Sequence, residues 1–239
     1  RFVMSFLAGH IRKAGLDSTT SDSITTPAFV SCSDPNMVAL LDFDGTPGNH
    51  MCSFESNLGG DPALNPGDRL AIAWVPTVPA GGAADIRDCT GTGGYAEDDI
   101  ILNVFWIADD PASGMNSLFC QGHKFDGAAI ILPSNPAQAI ANGVDSMHVL
   151  YGEAAQALPL NKERNVTQYL HAGLPADGGV TNWNQVYAVK VSILTRSLTD
   201  VTNAVEERRY VLLDAPVYRL TDAVNRQVFN TTFVVNNYY

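Results

Sequence analysis

The chain has 239 residues, of which 46% are hydrophobic and 16% are charged, and its formal net charge at pH 7 is −11. This length and composition predict a globular protein with a substantial core. The acidic balance argues against a nucleic-acid partner, because phosphate binding needs clustered lysines and arginines. The sequence contains no run of about 18 apolar residues, so it predicts no membrane-spanning segment within these residues.

The first predicted element is a helix over residues 1–14. Val3, Leu7, Ile11 and Ala14 recur at helical spacing, and the basic residues of the last turn suit the negative end of the helix dipole. This apolar stripe predicts that the helix packs on a sheet.

Loops and short strands are predicted between the helix and the middle of the chain. Residues 17–66 are rich in Ser, Thr, Asp, Asn, Gly and Pro, which favour turns. Apolar runs between turn clusters then predict strands over 70–75, 100–107 and 128–132. Residues 134–143 allow either a short helix or an extended lead into the next strand.

The second half of the chain predicts an antiparallel sheet, because its apolar residues recur with a period of two. Strands are expected in four runs, over 143–152, 186–197, 208–214 and 227–236.

The run that begins at Val186 shows the alternation best. Tyr187, Val189, Val191 and Ile193 share one face, which is aromatic or β-branched and is therefore predicted to be the buried core face. The opposite face carries Lys190 and Ser192, and we expect it to be at least partly in water, as in many antiparallel sheets.

One helix followed by many strands predicts an α+β fold, with the helix packed on an antiparallel sheet. More strands are predicted than one helix can cover, so we also expect an extra β-section. The predicted organisation is a helical segment over 1–15 and a single β-rich globular domain over 16–239. Within that domain, 17–135 form a loop and strand region and 143–236 form the C-terminal sheet.

Four segments resemble the PilW-type minor pilins of bacterial type IV pili, and they occur in that family's order. They are Gly143–Gly152, Val166–Ala172, Trp183–Ser197 and Arg226–Asn236. Weaker matches continue through the middle of the chain, at Gly67–Trp74, Asp88–Gly91 and Leu118–Cys120. No single motif is decisive, but four in order are a strong signal, and the resemblance covers most of the chain.

The resemblance implies a pilin-like fold and a non-enzymatic role without a cofactor. By this similarity, residues 1–15 are the second half of a longer helix whose hydrophobic first half would precede Arg1 and anchor the protein in the inner membrane. Before assembly the protein would be located in the inner membrane and periplasm, and after assembly at the extracellular pilus tip. Its implied partners are other minor pilins, a tip adhesin and the major pilin below the tip. The implied roles are priming of pilus assembly, adhesion, twitching motility and DNA uptake.

Four cysteines are spread along the chain without a C-x-x-C pair, at Cys32, Cys52, Cys89 and Cys120. This spacing is poor for zinc or for a redox motif, and an even count in an exported domain predicts two disulfides. Three pairings are open, of which we favour Cys32–Cys52 with Cys89–Cys120. The family resemblance supports the second pair most. The alternative is four free buried thiols in a cytosolic protein.

A competing motif, Leu-Leu-Asp-Phe-Asp-Gly-Thr, ends at Thr46. It is similar to the first motif of haloacid-dehalogenase phosphatases, in which Asp42 would be the nucleophile, Asp44 the acid/base and Mg²⁺ the metal. That superfamily needs alternating strands and helices, which the rest of the chain does not predict. The simpler interpretation is a strand that ends in an Asp-Gly turn.

Three further alternatives stay open. A minor pseudopilin of a type II secretion system shares the fold and differs in its partners. A stand-alone carbohydrate- or surface-binding β-domain would lack the helical anchor. Structural calcium could be held by Asp42 and Asp44 or by the acidic residues near Asp61, Asp85, Asp88 and 97–99, although EF-hand spacing is absent.

Overall fold

A computed structural model describes ten stretches of the chain, and all structural statements below refer to them. They are residues 1–16, 28–33, 52–56, 67–76, 86–96, 99–125, 130–131, 136–155, 165–199 and 205–235.

The described residues form one α-helix, α1 (Phe2–Ile11), and eleven β-strands. In chain order the strands are β1 (Leu70–Trp74), β2 (Ile100–Asp110), β3 (Met115–Phe125), β4 (Ile130–Ile131), β5 (Gln138–Asn142), β6 (Val144–Glu153), β7 (Gln168–Leu170), β8 (Val186–Arg196), β9 (Glu206–Tyr210), β10 (Tyr218–Asp222) and β11 (Arg226–Val234).

The strands build two sheets and a separate hairpin, and every pairing between strands is antiparallel. The five-stranded sheet has the order β1-β2-β3-β4, and β5 also pairs with β3. The four-stranded sheet has the order β11-β8-β6-β7, and β9 and β10 form the hairpin. One helix with antiparallel sheets is an α+β architecture, as the sequence predicts.

The helix is held by its apolar stripe. Val3, Leu7, Ile11 and Ala14 are buried in one core cluster that also contains residues of both sheets. The helix ends at Ile11, earlier than the predicted residue 14, because the amides of Lys13 and Ala14 bond to carbonyls only three residues back. Its apolar stripe thus continues through a tight turn into the core.

The helix start lies toward the end of β2. His10 Nδ1 is 3.4 Å from Asn103 Nδ2, and the ring of Phe6 packs edge-on against Phe105, with centroids 6.1 Å apart. Moving back along the helix therefore means moving forward along β2, toward Asp110. Arg1 points to the end of the molecule where β2 turns into β3.

Strand β8 lies at the centre of the four-stranded sheet, between β6 and β11. Val189, Val191 and Ile193 belong to the same core cluster as the helix stripe, and Tyr187 is 1% exposed. The predicted core face of this strand is therefore buried throughout.

The prediction that the opposite face of β8 meets water is wrong for most of its length. Ser192 and Leu194 are both fully buried, and only Lys190 remains partly exposed. The β9–β10 hairpin covers this face, because Leu212 and Tyr218 pack against Leu194. Sequence alternation missed this cover because the period of a strand does not show whether a later element of the chain folds back over its second face.

Other strand predictions need correction. The strand predicted over 208–214 is β9, which ends at Tyr210 and continues into a turn in which Leu213 has a positive φ of 47°. Of the two alternatives left open for 134–143, the extended one is correct, since residues 138–142 are a strand. Strands β3, β7 and β10 were not predicted, and in β3 the polar residues and the glycine hide the apolar alternation.

Candidate functional site

Two disulfides tie flanking segments to the five-stranded sheet. Cys32 is bonded to Cys52, with Cα atoms 5.2 Å apart, and Cys89 is bonded to Cys120, with Cα atoms 6.2 Å apart. These are the pairs that the sequence analysis favours. The first joins the two segments beside β1, and the second holds residues 86–96 against β3. No free cysteine occurs among the described residues.

The helix also presents a face that its own domain leaves uncovered. Phe2 is 63% exposed, and Ser5, Gly9 and Arg12 on the same side are exposed as well. Covering the exposed part of this aromatic side chain by a partner would be favourable. This face is the candidate contact surface of the helix.

A buried polar joint connects the two sheets, and it begins at Gly67. Gly67 has a φ of +102° and forms a parallel bridge with Met147 of β6. A Cβ atom here would lie 2.0 Å from the Met147 carbonyl oxygen, so only glycine fits. The next amide, of Asp68, donates to that same carbonyl over 2.7 Å.

The side chain of Asp68 extends this polar joint by hydrogen bonds to further backbone amides. Its carboxylate is 3% exposed and accepts hydrogen bonds from the amides of Ser56, at 3.0 Å, and Val149, at 2.8 Å. It also lies 3.6 Å from Nδ1 of the buried His148. The carboxylate thereby provides a hydrogen-bond acceptor for the Val149 amide, on the part of the β6 edge that does not pair with β7.

The same network holds the β9–β10 hairpin. The hydroxyl of Tyr218, a fully buried residue, lies 2.6 Å from His148 Nε2 and 2.9 Å from Ser146 Oγ. Asp68, His148 and Tyr218 superficially resemble an acid–base relay. Their burial leaves no access for a substrate, so the arrangement suits a structural lock better than catalysis.

A second acid–histidine pair lies near this joint. Glu55 contacts Nδ1 of His171. Burial raises the pKa of Glu55 to about 7, although the neighbouring His171 opposes the shift. Burial likewise raises the pKa of Asp214. These carboxyl groups become charged at a higher pH than they would in the unfolded chain.

Two further buried carboxylates organise loops. Asp88 accepts hydrogen bonds from Thr90, Thr92 and the Tyr95 hydroxyl, which closes the turn next to Cys89. Glu153 is 2% exposed and accepts hydrogen bonds from Gln168, the first residue of β7, and from Thr181 and Asn182 in the segment between β7 and β8. Sequence analysis placed Asp88 in a weaker family match and considered it as a possible calcium ligand, and it did not single out Glu153.

A charged pocket of about 490 Å³ opens at the end of the molecule toward which the helix start points. It is lined by the β2–β3 turn, the start of β6, the end of β8 and the strands β10 and β11. The lining residues are Asp109, Gly114, Met115, Asn116, Asp145, Arg196, Arg219, Leu220, Thr221, Asp222 and Arg226.

Arg226 is the buried centre of this charged pocket. Its Nε donates to Asp145 Oδ2 over 2.5 Å, and its Nη1 donates to Asp222 Oδ1 over 2.8 Å. These bonds raise the pKa of Arg226 against the opposing effect of burial, and they lower the pKa of Asp222. The side chains of Arg226 and Asp145 are no more than 5% exposed, so removing Asp145 would leave the buried guanidinium group with only the partly exposed Asp222 to balance its charge.

The residues of the competing motif, Asp42 and Asp44, lie outside the described residues. The antiparallel ladders of the described stretches differ from the parallel sheet that a haloacid-dehalogenase phosphatase requires. Within the same stretches, no group of three His, Cys, Asp or Glu side chains is placed to hold a metal ion. No helix among them is long and apolar enough to cross a bilayer.

The fold and these contacts define a disulfide-bonded α+β domain in which buried polar contacts join the sheets, the hairpin and the loops. The family model of the type IV pilus-assembly protein W, PilW, matches residues 104–237, which are more than half of the chain. The chain therefore belongs to the PilW family of type IV pilus-assembly proteins. A comparison with curated proteins finds no match, and neither does a comparison with solved structures.

Proposed function

We propose that this chain is the exported domain of a non-enzymatic minor pilin that helps to prime type IV pilus assembly and then sits in the tip complex. There it supports adhesion, twitching motility or DNA uptake. The observation that carries the proposal is the match of residues 104–237 to a family of pilus-assembly proteins.

The helix supports this proposal. Val3, Leu7 and Ile11 attach it to the domain, while the exposed side that carries Phe2 is free to meet a neighbour. A pilin-like fold would use the helix in this way, with one face on its own sheet and the other against adjacent subunits. The proposed partners are other minor pilins, a tip adhesin and the major pilin below the tip.

The proposed location follows from the same role. Before assembly the protein would be anchored at the inner membrane, with this domain in the periplasm. On assembly it would move to the extracellular pilus tip. Two disulfides suit such an oxidising environment.

The test is deletion of the gene in its bacterium, followed by complementation. The wild-type gene should restore sheared surface pili and twitching, whereas Phe2→Asp should not, at equal protein level in the membrane fraction. Leu174→Asp is the matched control, because Leu174 is a similarly exposed apolar residue away from the helix, at 55% against 63% for Phe2. Unchanged pili and twitching in the deletion strain would refute the proposed role.

The absence of enzymatic activity is a separate part of the proposal. Phosphate-ester hydrolysis should be undetectable with the purified protein and Mg²⁺. Activity that Asp42→Asn abolishes would instead establish the phosphatase alternative.

A further inference from the structure

We propose that the charged pocket binds a carboxylate group of an acidic peptide segment from a partner chain. The carboxylate site rests on the geometry of the charged pocket alone. The assignment of the peptide to a partner in the pilus rests on the proposed function.

The charge balance within the pocket shows which groups remain available to a ligand. Asp145 and Asp222 both bind Arg226, so this trio has a net charge of −1. The lining as a whole contains three aspartates and three arginines and is neutral, so a carboxylate would be held by hydrogen bonds from the remaining arginines and not by net charge. Arg196 and Arg219 are the other two arginines in the lining. The whole chain has only 14 basic residues against 25 acidic ones, and three of those 14 meet here.

Arg196 is the better placed of the two. It ends β8, and its amide donates to the Gly143 carbonyl over 2.8 Å, which holds its backbone in place. Its side-chain Nε is buried, and no hydrogen-bond partner for this atom is found in the described part of the chain. A buried guanidinium nitrogen without an acceptor favours a ligand that brings one.

Arg219 approaches the same pocket from β10 and is exposed. Guanidinium groups have planar arrays of donors that match a carboxylate, and two of them from different strands would hold its oxygens in a defined orientation. Arg196 is half-buried and Arg219 is exposed, and this difference predicts that Arg196 orients the ligand and that Arg219 closes over it.

The remaining lining favours a peptide over a sugar acid. Among the described residues that line the pocket, none is aromatic, so no ring is available to stack on a sugar face. Asn116 and Thr221 are neutral polar groups suited to peptide amides, and the exposed Asp109 would accept a peptide N–H. The volume of about 490 Å³ is within the usual range for a small-ligand site and accommodates one acidic side chain with its flanking backbone.

The location also fits a partner chain. The pocket is lined by β10, whose hairpin covers the face of β8 that lies opposite the helix. The pocket therefore stays open when a neighbouring subunit covers the helix face around Phe2, and an acidic segment of a partner chain can contact Arg196 and Arg219 at the same time.

The experiment is a titration of the purified chain, followed by the arginine Nε–Hε signals in ¹H–¹⁵N NMR spectra. The probe is N-acetyl-glutamate methylamide, and the neutral control is its glutamine counterpart. We expect the acidic probe to shift the Arg196 signal. Arg196→Gln and Arg219→Gln should each weaken binding about tenfold or more, which corresponds to the loss of a charged hydrogen bond.

Arg209→Gln is the matched control variant, because Arg209 lies opposite Arg219 in the same hairpin, outside the pocket, and pairs with Glu207. It should bind as the wild type does. Thermal unfolding of each variant separates loss of the site from loss of the fold, and the exposed Arg219 should tolerate substitution best.

Equal binding of the acidic and neutral probes, or no shift of the Arg196 signal, would overturn the carboxylate site. Tighter binding of galacturonate with the same dependence on Arg196 would overturn the peptide assignment. Neither result bears on pilus number in the deletion strain, so this inference and the proposed function fail separately.

Discussion

Asp68 is the residue whose removal should most weaken the joint between the two sheets. Asp68→Ala deletes the acceptors of the Ser56 and Val149 amides and takes the negative charge away from His148. Each hydrogen bond to a charged group contributes about 1.5–3 kcal/mol. The Ser56 amide can regain water at the rim, whereas the buried Val149 amide cannot, so we expect a loss of about 3–5 kcal/mol in the free energy of unfolding.

The assay is urea unfolding at neutral pH with both disulfides intact. The midpoint should fall while the slope of the transition stays unchanged, and the melting temperature should drop by roughly 6–20 °C, at 2–4 °C for each kcal/mol. Asp68→Asn should lie between the wild type and Asp68→Ala, since its amide keeps one acceptor oxygen. Asp177→Ala, at an exposed position, is the control. A loss below about 1 kcal/mol in Asp68→Ala would refute the role assigned to this carboxylate.

Three other substitutions test the neighbouring contacts. Gly67→Ala should cost several kcal/mol, because it combines a positive φ with a clash, whereas Gly91→Ala has a positive φ in open space and should cost only about 1–2 kcal/mol. Comparable losses of stability in the two variants would show that the backbone moves to relieve the clash at position 67, which would contradict this prediction. Tyr218→Phe should cost about 1–3 kcal/mol and speed amide exchange in the β9–β10 hairpin, while Tyr210→Phe in the same hairpin should change neither. The raised pKa of Glu55 predicts that stability falls as pH rises from 4.5 to about 7, because the folded state holds this proton more tightly than the unfolded state. In Glu55→Gln the urea midpoint should depend less on pH across that range. A pH dependence equal to that of the wild type would show that Glu55 is not its cause.

Local sequence patterns predicted the elements that depend on periodicity. The spacing of Val3, Leu7 and Ile11 predicted the helix, and the alternation from Tyr187 to Ile193 predicted the central strand and its core face. These predictions succeed because, in an amphipathic helix or strand, the spacing of the apolar residues shows which side is buried. The favoured disulfide pairing followed the order of the cysteines along the chain, and the family resemblance supported the pair Cys89–Cys120 most.

The same patterns were insufficient where polar residues form the interior. Strand β3 contains Asn116, Ser117, Gln121 and His123, and its apolar alternation is therefore weak. Glu153 is acidic and would ordinarily be assigned to the surface, yet it is buried. Such a group is stable inside the protein only when donors from distant residues converge on it.

The sequence by itself determined the α+β class, the helix stripe and the strands β6, β8 and β11 of the four-stranded sheet, since each depends on neighbours within one turn or one strand. Tertiary structure alone decided that a hairpin covers the second face of β8 and that Asp68 joins the sheets. It also brought Arg196, Arg219 and Arg226 to one pocket. The physical reason is that a buried charge or a covered face depends on contacts between segments that lie many residues apart. Local periodicity contains no information about those contacts.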